Sequence, residues 1–249
     1  MMRPRVIPTL LLSGFGLVKT RKFADPVYVG DPTNAVRIFN SKEVDELMLL
    51  DIDASRSRRG PDFGFLEEIA AEAFMPLGYG GGVASVGVME RLFRIGFEKV
   101  VVNSAIYESP SLLREAVACF GSQSVVASVD AKKDFLGRYR VVSRGGTVRQ
   151  PEDLSVVLQR VQDDGVGELI LNSVDKDGTM LGYDIELVSR GADALRIPLV
   201  ALGGAGSTDD MKDALKAGAS AVAAGSMFVF HGVHRAVLIS YLDHDQLDF

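Results

Sequence analysis

Two glycine-rich turns carry the clearest chemical signal in the sequence. Gly78-Tyr79-Gly80-Gly81-Gly82 and Gly203-Gly204-Ala205-Gly206 each follow an apolar run and precede a helical pattern. Glycine lets backbone amides approach an anion closely, and a helix N-terminus adds positive potential. Each turn is followed, one strand later, by a small polar end, Asn103-Ser104 and Gly225-Ser226. Such ends complete a phosphate cup. Glycines also serve tight turns with no ligand at all, but two such loops in equivalent positions favour phosphate. The binding candidates are Gly81, Gly82, Asn103, Ser104, Gly203, Gly204, Gly225 and Ser226. Two cups across a pseudo-twofold axis imply a phosphate-bearing small molecule charged at both ends.

Four charges stand at the opposite ends of the apolar runs: Arg5, Glu46, Lys99 and Glu168. Two of each sign can satisfy one another, and by themselves they read as a structural salt-bridge ring. His231, His234 and His244 have no carboxylate or cysteine cluster at ligand spacing, so no metal is expected. There is no Walker loop, no nucleophile elbow and no GxGxxG, and no cofactor is expected.

The elements that must hold these residues alternate. Strand-like runs are Arg5–Leu12, Glu46–Asp51, Met75–Tyr79, Lys99–Asn103, Val125–Asp130, Glu168–Asn172, Pro198–Leu202 and Ala221–Gly225. Several are almost continuously apolar, as parallel strands covered on both faces are. Between them, Val86–Ile95 places Met89, Leu92, Phe93 and Gly96 on one face, and Thr208–Ala217 does the same with Met211, Ala214, Leu215 and Gly218. The halves repeat: Asp53 and Asp175, Met89 and Met211, and Gly96 and Gly218 are each 122 residues apart. Two copies of four strand–helix pairs predict an α/β fold, a closed (β/α)8 TIM barrel with a twofold half-barrel repeat. An open doubly wound sheet is the alternative. No linker-like stretch separates the halves, so residues 1–249 are expected to form one domain.

The 249 residues suit one such barrel, and 47% hydrophobic with 24% charged residues is a globular composition. A net charge of −6 argues against nonspecific nucleic-acid binding. One cysteine, Cys119, forms no internal disulfide. The N-terminus lacks signal-peptide architecture, and no apolar run is long enough to span a bilayer. The expected location is cytoplasmic, away from the membrane.

The succession Arg5-Val6-Ile7-Pro8, Gly30-Asp31-Pro32, Asp45-Glu46-Leu47, Leu50-Asp51-Ile52-Asp53-Ala54-Ser55, Gly80-Gly81-Gly82, Val102-Asn103-Ser104-Ala105, Asp130-Ala131-Lys132, Asp175-Lys176-Asp177-Gly178-Thr179, Gly182-Tyr183-Asp184 and Gly203-Gly204-Ala205-Gly206 covers essentially the whole chain. It resembles the cyclase subunit of imidazole glycerol phosphate synthase, HisF, a lyase of histidine biosynthesis. The resemblance implies a two-phosphate substrate, with Asp177 and Gly178 joining the phosphate side, and ammonia supplied by a glutaminase partner, HisH. It implies that Arg5, Glu46, Lys99 and Glu168 form the gate through which ammonia enters, with Glu98 beside them at the rim. It also implies an acid/base pair of aspartates at the ends of strands one and five. Asp130 is the fifth-strand acid; otherwise it would be a helix cap or a partner for Lys132. Lys19, in the loop after strand one, matches a lysine that assists catalysis; otherwise it would be a solvated charge.

The first-strand acid is absent. Leu11 stands where the family has aspartate, and Ser13 where it has lysine. Leucine cannot transfer a proton, so cyclisation is expected to be severely impaired. The run Pro8 to Thr20 resembles a diverged branch of HisF that works with a HisH-like glutaminase and a sugar amidotransferase, making acetamidino groups on surface-polysaccharide (lipopolysaccharide) sugars. That implies an ammonia-channelling subunit, in which a hydrophobic residue at Lys99 would disturb ammonia coupling more than folding. The alternatives are an authentic cyclase of histidine biosynthesis, or an isomerase on a related aminoimidazole ribonucleotide, against which Leu11 also counts.

Overall fold

The computed structural model describes residues 3–242. The eight expected runs become β1 Arg5–Ser13, β2 Leu47–Asp51, β3 Leu77–Gly80, β4 Lys99–Val102, β5 Val125–Lys133, β6 Glu168–Ser173, β7 Leu199–Leu202 and β8 Ala221–Ala224. Each pairs in parallel with its neighbours from β1 through β8, and β8 returns to β1. The β5–β6 pairing, with Asn172 opposite Asp130, joins the two halves. The sheet therefore closes into a (β/α)8 TIM barrel, and the open-sheet alternative is excluded.

Helices follow the first seven strands. Their apolar faces bury Phe39, Ile69, Met89, Leu92, Val157, Leu187 and Met211 against the barrel. The eighth unit departs from the expected pattern. After β8 the described residues form a 3-10 turn, Ser226–Phe228, and a small hairpin, Phe230–His231 with Ala236–Val237. This stretch lacks a helical apolar stripe, and Gly232 takes φ +70°. Its Phe228 and Val229 are buried.

Two antiparallel hairpins were not anticipated. Gly16–Arg21 and Ala24–Gly30 extend from β1, and Tyr139–Ser143 with Val148–Arg149 extends β5. The first turns at Lys22 and Phe23, both at positive φ. Without the Asn-Gly or Asp-Gly signature of such turns, it read as a loop.

The repeat has physical content. Ser85 and Ser207, also 122 residues apart, each cap a helix in the same extended conformation. A Cβ at Gly81 would lie 2.6 Å from the Asp51 carbonyl, and one at Gly203 would lie 2.7 Å from the Ser173 carbonyl. Both halves thus require glycine at the same place for the same close backbone approach. Asp53 accepts from Ser13 Oγ and Gly14 N, tying down the end of β1; Asp175 accepts from Lys133 N, tying down the end of β5.

Candidate active site at the C-terminal mouth

A pocket opens where the strands end, the face on which barrel active sites lie. Its floor is built by Thr9 and Leu11 of β1, Leu50 of β2, Gly80 of β3, Val101 of β4, Ser128 and Asp130 of β5, Asn172 of β6, Leu202 of β7 and Ala224 of β8. Asn103, just past β4, joins them.

Asp130 is buried and accepts hydrogen bonds from Asn103 Nδ2 at 2.9 Å and Asn172 Nδ2 at 3.2 Å. It caps no helix, and Lys132 points elsewhere, exposed on the β5 hairpin. Burial pushes its carboxyl up to about 6, against the lowering effect of the two amide donors. A group so poised suits proton transfer near neutrality.

The shift also makes a stability prediction. A carboxyl whose folded pKa is raised from 3.8 to about 6 binds its proton more tightly in the native state. Its contribution is fully present below the unfolded value and is lost as pH rises through the folded one, about 3 kcal/mol in all. Asp130→Asn should remove this slope and gain stability at neutral pH. Urea unfolding of both proteins at about pH 4 and about pH 7 checks it. Equal pH dependence in the two would contradict the burial of an ionised Asp130.

Lys19 lies not in a loop, as expected, but within the strand Gly16–Arg21, and it is buried. Its Nζ donates to the Thr9 carbonyl at 2.6 Å. Burial lowers its ammonium to about 8, opposed by the nearby Asp177 carboxylate. A Cβ at Gly225 would stand 2.6 Å from that Nζ, so the glycine makes room for the lysine. Leu11 lines the same pocket and offers no proton. Ser13 Oγ is committed to Asp53 at 2.7 Å.

The glycine loops meet the mouth at two places. Among the described residues, the backbone amides of Gly203, Gly204, Ala205, Gly225 and Ser226 find no protein acceptor, nor do those of Gly81, Asn103 and Ser104. Unsatisfied amides gathered at helix starts suit anions. The side chains are less available. Asn103 is turned onto Asp130 and the Ser128 carbonyl, and Ser104 Oγ accepts from Arg144 N. The Asp177 carboxylate accepts from Thr20 Oγ1 and Phe23 N, so it anchors the first hairpin rather than offering a donor to phosphate. Gly178 backs onto that hairpin, where a Cβ would overlap the Thr20 carbonyl.

The two hairpins roof the pocket together. Arg56 donates to the Phe23 carbonyl at one hairpin tip and to the Gly145 carbonyl at the other, at 3.3 and 3.1 Å. Sequence reasoning missed Arg56, Phe23 and Asn172. Asn172 was findable, since it ends a strand where Asp130 ends the neighbouring one.

At the other end of the barrel, Arg5, Glu46, Lys99 and Glu168 come together as one ring. Arg5 pairs with Glu46 at 2.5 Å and with Glu168; Lys99 pairs with Glu46 at 2.7 Å and Glu168 at 3.1 Å. Above the ring, Ile7, Met48, Val101, Val126, Ile170, Val200, Ala221 and Ala223 fill the interior. Glu98 is exposed at the rim. His231 and His234 are exposed on the small hairpin, and His244 lies outside the described residues. No described helix is long and apolar enough to cross a membrane.

A closed barrel with glycine-rich loops, Asp130 and Lys19 at the C-terminal mouth and a charged ring at its base defines a (β/α)8 protein with its candidate site at the strand ends. Residues 5–234 match the family model described as "Histidine biosynthesis protein". The chain is 51% identical to "Putative imidazole glycerol phosphate synthase subunit hisF2" of Pseudomonas aeruginosa, over 100% of this chain and 99% of the relative. It is 47% identical to "Putative imidazole glycerol phosphate synthase subunit HisF" of Leptospira borgpetersenii, over 97% and 96%. It is 37% identical to "Imidazole glycerol phosphate synthase subunit HisF" of Dictyoglomus thermophilum, over 92% and 91%. The chain belongs to the HisF family of lyase/cyclase subunits.

Proposed function

We propose that this HisF-family barrel is an ammonia-delivering subunit that has lost useful cyclase activity. The observation that carries the reading is an asymmetry between the two faces. The ring Arg5–Glu46–Lys99–Glu168 is complete, whereas Leu11 stands across the mouth where proton transfer would need an acid. A HisH-like glutaminase docks on the N-terminal face, and ammonia passes from the ring through the apolar interior to the mouth. The interior is packed, so passage requires side-chain motion. Met48 is suited to this: its flexible thioether lies over Gly78, where a Cβ would approach Sδ to 2.7 Å. At the mouth, a sugar amidotransferase takes the ammonia for acetamidino formation on a surface-polysaccharide sugar. The cups of free amides at Gly81, Asn103 and Ser104 and at Gly203, Gly204, Gly225 and Ser226 hold phosphate groups.

The test is co-expression with a HisH-like glutaminase. We expect a one-to-one complex burying on the order of 1,600 Å², with glutaminase activity raised on binding. Absence of a complex returns the ring to the role of a stability device. The second reading, an authentic cyclase, is favoured by one observation: Asp130, buried at the mouth and held by two amide donors, is pushed up to about 6, and the buried Lys19 lies in the same pocket.

A further inference from the structure

Arg56 stands in the loop after β2, yet both of its hydrogen bonds go to other loops. Its Nη2 donates to the Phe23 carbonyl at 3.3 Å and to the Gly145 carbonyl at 3.1 Å. Both acceptors are backbone atoms at hairpin tips rather than carboxylates. Phe23 lies in the turn between Gly16–Arg21 and Ala24–Gly30, and Gly145 in the turn between Tyr139–Ser143 and Val148–Arg149.

The two tips are shaped for this side chain. A Cβ at Gly145 would lie 2.5 Å from Nε and 2.6 Å from Nη2 of Arg56, and one at Gly146 would lie 3.2 Å from the Phe23 ring. These glycines admit the guanidinium and let the tips meet. The tips are also strained: Lys22, Phe23 and Arg144 take φ of +55°, +62° and +51°. Left-handed backbone at such residues persists only where surrounding contacts hold it. A guanidinium can hold two acceptors at once from a rigid, charged fork.

Each hairpin belongs to a titratable group of the mouth. Lys19 lies on Gly16–Arg21, and Asp130 pairs with Val142 at the base of the other hairpin. Each also has its own seat. Lys22 N and Phe23 N donate to the carbonyl and the carboxylate of Asp177, and Arg144 N donates to Ser104 Oγ. We propose that Arg56 is a positioning residue that clamps the two hairpins into one roof, keeping the strand of Lys19 closed against the mouth that Asp130 lines. The clamp goes beyond the ammonia-delivery reading and does not depend on it.

Amide hydrogen exchange on the barrel alone reads the clamp, so failure of glutaminase docking leaves the result untouched. The amides of Lys22, Phe23 and Arg144 are the reporters. In Arg56→Met all three should exchange at least about tenfold faster, while those of β7 stay unchanged. Thr20→Val removes a bond that seats the first hairpin on Asp177. It should speed exchange at Arg144, on the other hairpin, when Arg56 is present and not in the Arg56→Met background, since such non-additivity is the mark of coupling. Thr20→Ala serves should the valine variant not fold. Loosening the roof should also admit water to Lys19. Its ammonium, lowered by burial to about 8 against the raising effect of Asp177, should titrate higher in Arg56→Met, followed by NMR. A role confined to stiffening the loop after β2 would leave Arg144 and Lys19 unmoved. Unchanged exchange at either hairpin, an equal effect of Thr20→Val in both backgrounds, or an unmoved Lys19 titration would overturn the clamp.

Discussion

Supplied with ammonium salt and the two-phosphate substrate of a true cyclase, the purified chain is expected to turn over about 10²–10⁴ times more slowly than a HisF with acids at the ends of both strands. The range is what a positioned acid or base typically contributes. Leu11 lines the mouth from β1, and Asp130 lines it from β5. Lys19 does not replace the lost carboxylate. Its Nζ is already bound to the Thr9 carbonyl, and with a pKa of about 8 it remains mostly cationic at neutrality. It therefore lacks the lone pair that a base needs. Leu11→Asp should recover only part of the rate, because Ser13 differs from the family lysine and is tied to Asp53. A wild-type rate within tenfold of a true HisF would overturn the loss of activity and favour the cyclase reading.

Lys99→Leu should both destabilise the barrel and uncouple glutamine hydrolysis from ammonia use. The sequence suggested that coupling would suffer more than folding; the ring's geometry makes the two inseparable. Lys99 pairs with Glu46 and Glu168, whose side chains are only 3% and 7% exposed. Removing one partner from a buried ion network leaves charge uncompensated and typically costs about 3–5 kcal/mol. Here the value should fall toward the lower end, because Arg5 still contacts both glutamates. Adding Glu46→Gln restores the charge balance and should recover much of the stability, measured by urea unfolding. If ammonia use remains uncoupled in that double variant, the ring acts in delivery as well as in stability. If coupling returns with stability, or if Lys99→Leu leaves both unchanged, the gate reading fails.

The sequence determined a good deal by itself. Strand positions were legible to within two residues at most ends, because parallel strands buried on both faces must be apolar without interruption. The half-barrel repeat was legible because Asp53 and Asp175, Met89 and Met211, and Gly96 and Gly218 recur at one offset, the two glycines where the backbone takes positive φ. Asp130 was placed at the end of its strand, and Leu11 was placed by the resemblance, standing where the family has aspartate. The ring of four charges was also predictable, since residues at the same end of parallel strands one, two, four and six converge when the sheet closes.

Tertiary structure decided what each of those residues touches. Lys19 looked like a loop charge, yet the strand Gly16–Arg21 folds back along β1 and buries it. That depends on a turn at Lys22 and Phe23 whose left-handed backbone carries no sequence signature. Asp177 looked like part of a phosphate loop, yet its carboxylate is taken by Thr20 and Phe23, 157 and 154 residues away in sequence. Asn103 and Asn172 converge on one carboxylate only because β4, β5 and β6 are neighbours in the closed barrel. Residue type and spacing fix which faces are buried, since that is a local matter of periodicity. Which donor meets which acceptor depends on contacts between distant segments, and only the closed barrel brings those segments together.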